Sequence, residues 1–422
     1  MADDGVELVH NHLPASGATA GLPEKIIFWD ETLRDGEQTP GVSFSAAEKL
    51  QLAKLLDDIG IGIIDVGLPV VSEGEFASVR AIAREGLGCT VLGAARTILK
   101  DIQACVDAEV DETSIFVACS DLHLKYKLKK TRQEVIDLSV ECVQYAKEHG
   151  LAVSFVTEDT VRADIDYAVA LNTAAIEAGA DRIVLCDTVG VMVPAAVRWW
   201  VGTMRARLPK VQLSWHGHND FGMGVANTLA ALESGVEIPH TTINGIGERS
   251  GNAVFDEVVM ALELLYDKRT GIKVDRLYGL SRLVEDLTGI PLAIQKPIVG
   301  YNAFSHESGI HTDGILKHTL TYEPIDPKIL GRERSFIFGK HTGTAAIAAK
   351  LSERGVQVDK PVLLRLAEEI KVLAEGKEKE RHREWISQYR HHEALRRGIS
   401  DDEFWSIATR LGLGGSGLPA HH

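Results

Sequence analysis

Cysteine is sparse in this 422-residue chain: Cys89, Cys105, Cys119, Cys142 and Cys186 stand apart with no Cys-x-x-Cys. That argues against a disulfide framework and for a reducing compartment. No apolar run reaches the roughly 18 residues a membrane span needs. The opening MADDGVELVHNHLPASGATAGLPEK is acidic and lacks the apolar segment of a signal peptide. The expectation is a cytoplasmic protein without a membrane partner. Positive charge is also in deficit, 45 Lys and Arg against 60 Asp and Glu, for a net charge of −15. A phosphate backbone would be repelled over most of such a surface, so nucleic acid is not an expected partner. Neither a Walker-type loop nor a dinucleotide fingerprint is present, so no nicotinamide cofactor is expected. What remains is 45% hydrophobic and 25% charged, which suits a large folded core and excludes wholesale disorder, collagen or coiled coil.

From Lys25 onward, short runs rich in Val, Ile and Phe alternate with longer segments of helical spacing. The strand candidates are Lys25 to Thr32, Gly62 to Pro69, Cys89 to Arg96, Thr113 to Ser120, Ala152 to Asp159, Arg182 to Thr188, Val211 to Asp220 and Thr241 to Glu248. Eight strand-then-helix units match a closed (β/α)8 TIM barrel of the α/β class. A doubly wound open sheet also alternates in this way, but its first turn is rich in glycine. Here that turn reads ETLRDGEQTPG, which is charged. The rhythm divides the chain into a flexible arm over 1–24, the catalytic barrel over 25–290, and a linker subdomain with two histidine-bearing loops over 291–344. A helical C-terminal subdomain over 345–411 and a flexible tail over 412–422 follow. The charged run EGKEKERHREWISQYRHHEALRR reads as a solvated helix face, with a partner surface as the alternative.

The most informative short string is His216-Gly217-His218, at the end of the seventh strand candidate. Strand residues two apart point the same way, so both imidazoles can grip one cation. A buried pair satisfied by hydrogen bonds is the other reading of that string. Barrel enzymes draw their chemistry from the carboxyl ends of the strands. Closure brings Asp35, after strand one, and Asn252, after strand eight, to the same mouth. Two imidazoles, a carboxylate and an amide oxygen suit a divalent ion such as Mg2+, Mn2+ or Zn2+, with positions left for a 2-oxo acid. Asp220 is expected to orient one histidine rather than to bind metal.

Four strings in register, ETLRDGEQTPGVSFS, HGHNDFGMGVANTLAA, NGIGERSGNA and AFSHESGIH, resemble the acyl-CoA-dependent 2-oxo acid condensing enzymes. That family includes homocitrate synthase, 2-isopropylmalate synthase and citramalate synthase, and shares its barrel with metal-dependent lyases. The resemblance implies a Claisen-type condensation. Acetyl-CoA loses a methyl proton, its enolate attacks the ketone of a 2-oxo acid, and hydrolysis of the thioester releases CoA. It further implies that Asp35, His216, His218 and Asn252 hold the metal and that Arg34 stabilises the oxyanion on the ketone. Thr188 would bind the acid's carboxylate, with Gln38 and Arg96 as further substrate contacts.

His311 carries over as the acid/base residue, a role imidazole suits because it titrates near neutrality. Tyr322 and Glu158 carry over as helpers of the reacting group. A loop histidine, a packing tyrosine and an interface glutamate are the bland alternatives for these three. Relatives exchange the subdomain across a homodimer, so His311 and Tyr322 would serve the partner's barrel. Gly36 and Gly41 are expected to allow tight turns after strand one. The string LHLKYKLKKTR supplies Lys125, Lys127, Lys129, Lys130 and Arg132, either as a solvated helix start or as a basic patch for CoA.

The loops look most similar to those of the short homocitrate synthases, which act on 2-oxoglutarate. Against that, Ser154 and Ile98 stand where lysine-pathway members hold the distal carboxylate with an arginine and a histidine. Arg96 or Arg162 is left to take that anion. Phosphonate-bearing or other 2-oxo acids, and an aldol or retro-Claisen lyase on the same platform, are the alternative readings.

Overall fold

The parallel strands of this chain must bury both faces, which is why their sequences read as near-continuous apolar runs. The computed structural model describes residues 11–395 and 399–411. The proposed tail over 412–422 and the first ten residues of the proposed arm lie outside them. Eight strands close into a barrel in sequence order. They are β1 (Trp29–Asp30), β2 (Ile63–Asp65), β3 (Thr90–Arg96), β4 (Glu112–Ala118), β5 (Ala152–Glu158), β6 (Arg182–Asp187), β7 (Gln212–Gly217) and β8 (Ile238–Thr241). Closure is made by β1 against β8, with Trp29 opposite His240 and Asp30 opposite Thr241.

The eighth strand lies earlier than its sequence pattern suggests. Thr241 to Glu248 was the expectation, but pairing ends at Thr241 and Ile243–Gly245 forms a 3-10 turn. Pro239 disguises the true strand, because a residue without an N–H is a poor strand marker; it nevertheless pairs with Trp215 of β7.

Alternation along each strand sorts the side chains. One set packs outward against the helices, as Leu52, Leu56, Ile102, Leu171, Val197 and Val258 do from the helical side. The other set fills the barrel axis with Trp29, Ile63, Leu92, Val184, Cys186 and Ile238. Below that plug, Glu112 accepts from Ser154 and from Arg182. Ser154 is thereby committed to the barrel floor. Helix starts follow from local chemistry: Ser45 and Thr131 form reciprocal capping boxes with Glu48 and Glu134 at the helices Ala46–Ile59 and Arg132–Glu148.

Residues 11–24 form short turns rather than a loose arm. Asn11 Nδ2 donates to the Leu265 carbonyl at 3.1 Å and Lys268 Nζ to the Glu24 carbonyl at 2.6 Å. Two compact units result: one spans residues 1–306 and 314–336, the other 307–313 and 337–422. The first includes the pair β9 (Ser305–His306) and β10 (Ser335–Phe336). The second is helical, with Thr344–Ser352, Lys360–Leu395 and Asp401–Arg410. No helix among the described residues is long and apolar enough to cross a membrane.

The loop after β1 is tied to the first barrel helix by a buried lysine. Lys49 Nζ sits 2.6 Å from Glu37 Oε2 and 2.7 Å from Glu75 Oε1, with its side chain 1% exposed. Replacing it with methionine leaves two carboxylates facing each other without a counter-charge. Lys49→Met is expected to cost about 3 kcal/mol of stability, and a thermal melt showing no fall in midpoint would refute this.

Candidate active site

A cavity of about 300 Å³ opens at the carboxyl end of the barrel, and every residue lining it lies between Trp29 and Arg249. Strand parity decides which side chains reach it: Ser114 and Phe116 of β4, Val156 and Glu158 of β5, Val184 and Cys186 of β6 followed by Thr188, and His216 of β7 followed by His218. Arg34, Asp35 and Gln38 enter from the loop after β1.

The two imidazoles meet edge to face with ring centres 4.9 Å apart. Their Nε2 atoms face each other at 3.1 Å, and Asp35 Oδ2 lies 3.5 Å from the first and 3.6 Å from the second. The other ring nitrogens settle the tautomers. His216 Nδ1 lies 3.0 Å from Glu31 Oε2, and His218 Nδ1 lies 3.2 Å from the Gly251 carbonyl. Both acceptors can only accept, so each Nδ1 is the proton-bearing nitrogen, and in the neutral ring Nε2 is the atom that offers a lone pair to a cation.

Asn252 completes the set. Its Nδ2 donates to Asp35 Oδ2 at 3.0 Å and to the Ile246 carbonyl at 3.3 Å, while its buried Oδ1 has no hydrogen-bond partner. Two opposed lone pairs, a carboxylate oxygen and an orphaned amide oxygen are the donors a divalent cation requires. The residues present therefore fit the metal that the sequence implies.

The loops that deliver these ligands are zipped together, since His218 bridges Asn252 and Asn219 N–H donates to the Gly251 carbonyl at 2.9 Å. Gly251 has φ +79°, and a Cβ there would sit 1.8 Å from the Gly245 carbonyl oxygen. Only glycine permits that approach.

Glu31, to which the sequence reading assigned no role, is the hub of the site. One carboxylate, 3% exposed, accepts from His216 Nδ1, from His240 Nδ1 at 2.7 Å and from Arg34 Nη2. Burial alone would raise its pKa, but the Arg34 charge, followed by the two imidazoles that donate to it, holds it well below the usual carboxylate range. Burial, and then His216, pushes the pKa of His218 down to about 4. His240 is also down to about 4, chiefly through burial. Arg34 Nε donates to Asp65 Oδ2 at 3.0 Å, so the guanidinium is clamped by two carboxylates while 19% of the side chain stays exposed at the cavity.

The remaining expected residues divide. Thr188 Oγ1 accepts from Asp159 N–H at 2.8 Å, which leaves its own hydroxyl proton to donate into the cavity. Glu158 lines the cavity and is gripped by Lys127 Nζ at 2.6 and 2.8 Å. Of the basic string, Lys127 is the member that lines the cavity. Arg96 does not reach it, because Asp101 in the next helix captures its Nε at 2.6 Å. Arg162 is likewise held by Asp159 at 2.7 Å.

Asp220 does not orient a histidine. It forks with Arg249 at 2.8 and 2.9 Å, and Glu31 and the Gly251 carbonyl do the orienting instead. Tyr322 follows a 3-10 turn in the first compact unit and is 42% exposed. His311 lies on the helix Gly309–Lys317, in the second unit.

His240 was missed because strand eight was expected to begin at Thr241, one residue beyond it. Parity counted from a strand placed at Ile238 would have pointed it inward, beside Trp29.

Comparison with known proteins identifies the family. Residues 25–284 match the HMGL-like family model, and residues 298–378 match the homocitrate synthase post-HMGL domain-like model. The 2-isopropylmalate synthase of Methanocaldococcus jannaschii is 49% identical over 81% of this chain and 66% of its own length, so the match spans just under two thirds of that protein. Homocitrate synthase AksA of Methanopyrus kandleri is 48% identical over 84% of this chain and 89% of its own. Among solved structures, hydroxymethylglutaryl-CoA lyase from Pseudomonas aeruginosa has the same fold, with a TM-score of 0.59 at 21% identity over 64% of this chain and 96% of that one. The chain belongs to the HMGL-like family, on the branch it shares with the 2-isopropylmalate and homocitrate synthases.

Proposed function

We propose that this chain is an acyltransferase that condenses acetyl-CoA with a 2-oxo acid whose side chain is short and apolar. The observation that carries the substrate class is the apolar part of the lining contributed by β2 to β6, Leu68, Ala94, Phe116, Val156 and Val184, where the polar neighbours are Ser114 and the mutually paired Lys127 and Glu158. A distal carboxylate such as that of 2-oxoglutarate would need an uncommitted cation there. Ser154 is bonded into the barrel floor, Ile98 is exposed, and Arg96 and Arg162 are tied to Asp101 and Asp159. That apolar lining therefore reverses the order set by the loop strings and puts 2-oxoisovalerate or pyruvate ahead of 2-oxoglutarate.

A divalent ion held by Asp35, His216, His218 and Asn252 would supply Lewis acidity toward the carbonyl and carboxylate oxygens of the acid. The chain's own groups do the rest. Thr188 donates its hydroxyl proton to the acid's carboxylate, and Gln38 borders the same cavity from the loop after β1. Arg34, fixed by Glu31 and Asp65, donates to the oxygen that becomes negative as the new carbon–carbon bond forms. Glu158, held by Lys127, borders the acyl end.

His311 is the residue we assign to moving the methyl proton, with Tyr322 as its helper. In the homodimer that the resemblance implies, both would come from the partner chain. The five cysteines, all free and buried, suit a cytoplasmic setting.

The test is release of CoA thiol from acetyl-CoA with each acid in turn, with and without chelator. 2-Oxoisovalerate or pyruvate is expected to exceed 2-oxoglutarate by about tenfold or more in kcat/KM. A preference for 2-oxoglutarate would overturn the substrate class. Cleavage of a hydroxyacyl-CoA with no condensation would establish the lyase instead.

A further inference from the structure

We infer that Glu31 is a positioning residue that places the metal ligand His216 and the oxyanion donor Arg34 as one unit. The inference rests on the metal site and reaction proposed above and goes beyond them, to how two separate elements are kept in register.

Three donors converge on one buried carboxylate. Oε2 takes His216 Nδ1 at 3.0 Å and also Arg34 Nη2, while Oε1 takes His240 Nδ1 at 2.7 Å. The two groups that share Oε2 both line the cavity, and both would act on the same carbonyl. Any rotation of the carboxylate therefore moves both.

His240 is the part that stops rotation. Its ring stacks on Trp29 with centres 4.0 Å apart, its backbone faces Trp29 across the seam between β1 and β8, and its Nε2 is buried without a partner. Nothing else on the ring is engaged in hydrogen bonding, so its polar contact is spent on Glu31. Asp65 holds Arg34 by Nε but makes no contact with His216, so it cannot couple the two. Asp35 Oδ2 lies 3.9 Å from Arg34 Nη1 and 3.5 Å from His216 Nε2, the metal-facing atom; among the described residues it is Glu31 that holds both groups from behind, through His216 Nδ1 and Arg34 Nη2.

The carboxylate also dictates which nitrogen of His216 is the ligand. With an acceptor fixed at Nδ1, the proton stays there and Nε2 is free for the cation. An amide in its place offers one oxygen and one NH2 group. It can accept from His216 or from His240, not from both, and it offers Arg34 no charge. If the NH2 turns toward His216, the ring proton moves to Nε2 and blocks the ligand position.

The experiment uses the full-length chain. Free Mn2+ is counted by its paramagnetic resonance signal during titration of wild type and Glu31→Gln, without substrates. Turnover is then measured at saturating Mn2+ with the preferred acid. The expected result is a Mn2+ dissociation constant raised about tenfold to a hundredfold, with kcat still depressed when metal is saturating because Arg34 has lost its anchor. A merely structural carboxylate would lower the melting midpoint and leave the Mn2+ constant where it was, and that outcome overturns the proposal. Full recovery of kcat at saturating Mn2+ overturns the coupling to Arg34.

Should Glu31→Gln fail to fold, His240→Asn removes the brake on rotation while keeping the carboxylate. Weakened Mn2+ binding then supports the role, and unchanged binding defeats it. Absence of Mn2+ binding by wild type would bring down the metal site itself, which separates that failure from this one.

Discussion

Replacing His218 with glutamine is expected to abolish condensation while leaving the barrel folded. The ring is 6% exposed and makes few contacts: Nδ1 donates to the Gly251 carbonyl, and Nε2 faces His216. None of these ties barrel strands together, so the backbone survives. What disappears is one of the two lone pairs that converge opposite Asp35. Loss of bound metal removes several kcal/mol of charge stabilisation from the transition state, and about 4 kcal/mol corresponds to a roughly thousandfold fall in kcat/KM. Chelating the wild type should reproduce the loss, and adding Mn2+ should reverse it in the wild type but not in His218→Gln at equal metal. Full activity in exhaustively chelated wild type would remove the metal from the account.

The second large effect is expected for Arg34→Lys, a substitution that keeps the charge. The guanidinium reaches Glu31 through Nη2 and Asp65 through Nε at the same time. An ammonium is a point donor on a flexible stem and has no rigid fork. It can satisfy one carboxylate and leave the cavity, or face the cavity and leave two buried carboxylates short of a partner. Burial already pushes the pKa of Asp65 up to about 7, with Arg34 the main force opposing it. The expected outcome is a fall of about 10²–10³ in kcat, with the KM for the oxo acid rising much less, because the oxyanion donor acts mainly on charge that develops in the transition state. Equal losses in both parameters would instead mark Arg34 as a ground-state binding residue.

These two residues were legible in the sequence because they fall inside a motif that also fixes their neighbours. Asp35, His216, His218 and Asn252 were found by a similar route, from an alternating His-x-His and the rule that strand ends carry the chemistry. Glu31 sits in the same string as Arg34 and was passed over, because its importance comes from His216, His240 and Arg34 arriving from three places in the chain. His240 was lost to a strand boundary. Proline at 239 and the β-branched run after it drew the expected strand onto residues that form a turn. Asp220 was misread for a related reason: proximity in sequence to His218 suggested a partner, but the side chain faces Arg249, contributed by the loop after β8. Arg96 is a fourth case, where a helical carboxylate five residues downstream, Asp101, captured a side chain that strand parity alone would have aimed at the mouth.

The sequence by itself determined the class of architecture and pointed to the four residues that would hold a metal. A repeat of buried parallel strand and amphipathic helix has few ways to bury its apolar faces, and the ligand residue types are set by the cation's chemistry. Only the tertiary structure decided which carboxylate orients which imidazole, which arginines are already engaged, and how apolar the wall facing the substrate is. Those outcomes depend on distances of about 3 Å between groups far apart along the chain, the range over which a hydrogen bond is made or missed, and the register of eight closed strands sets such distances where local pattern cannot.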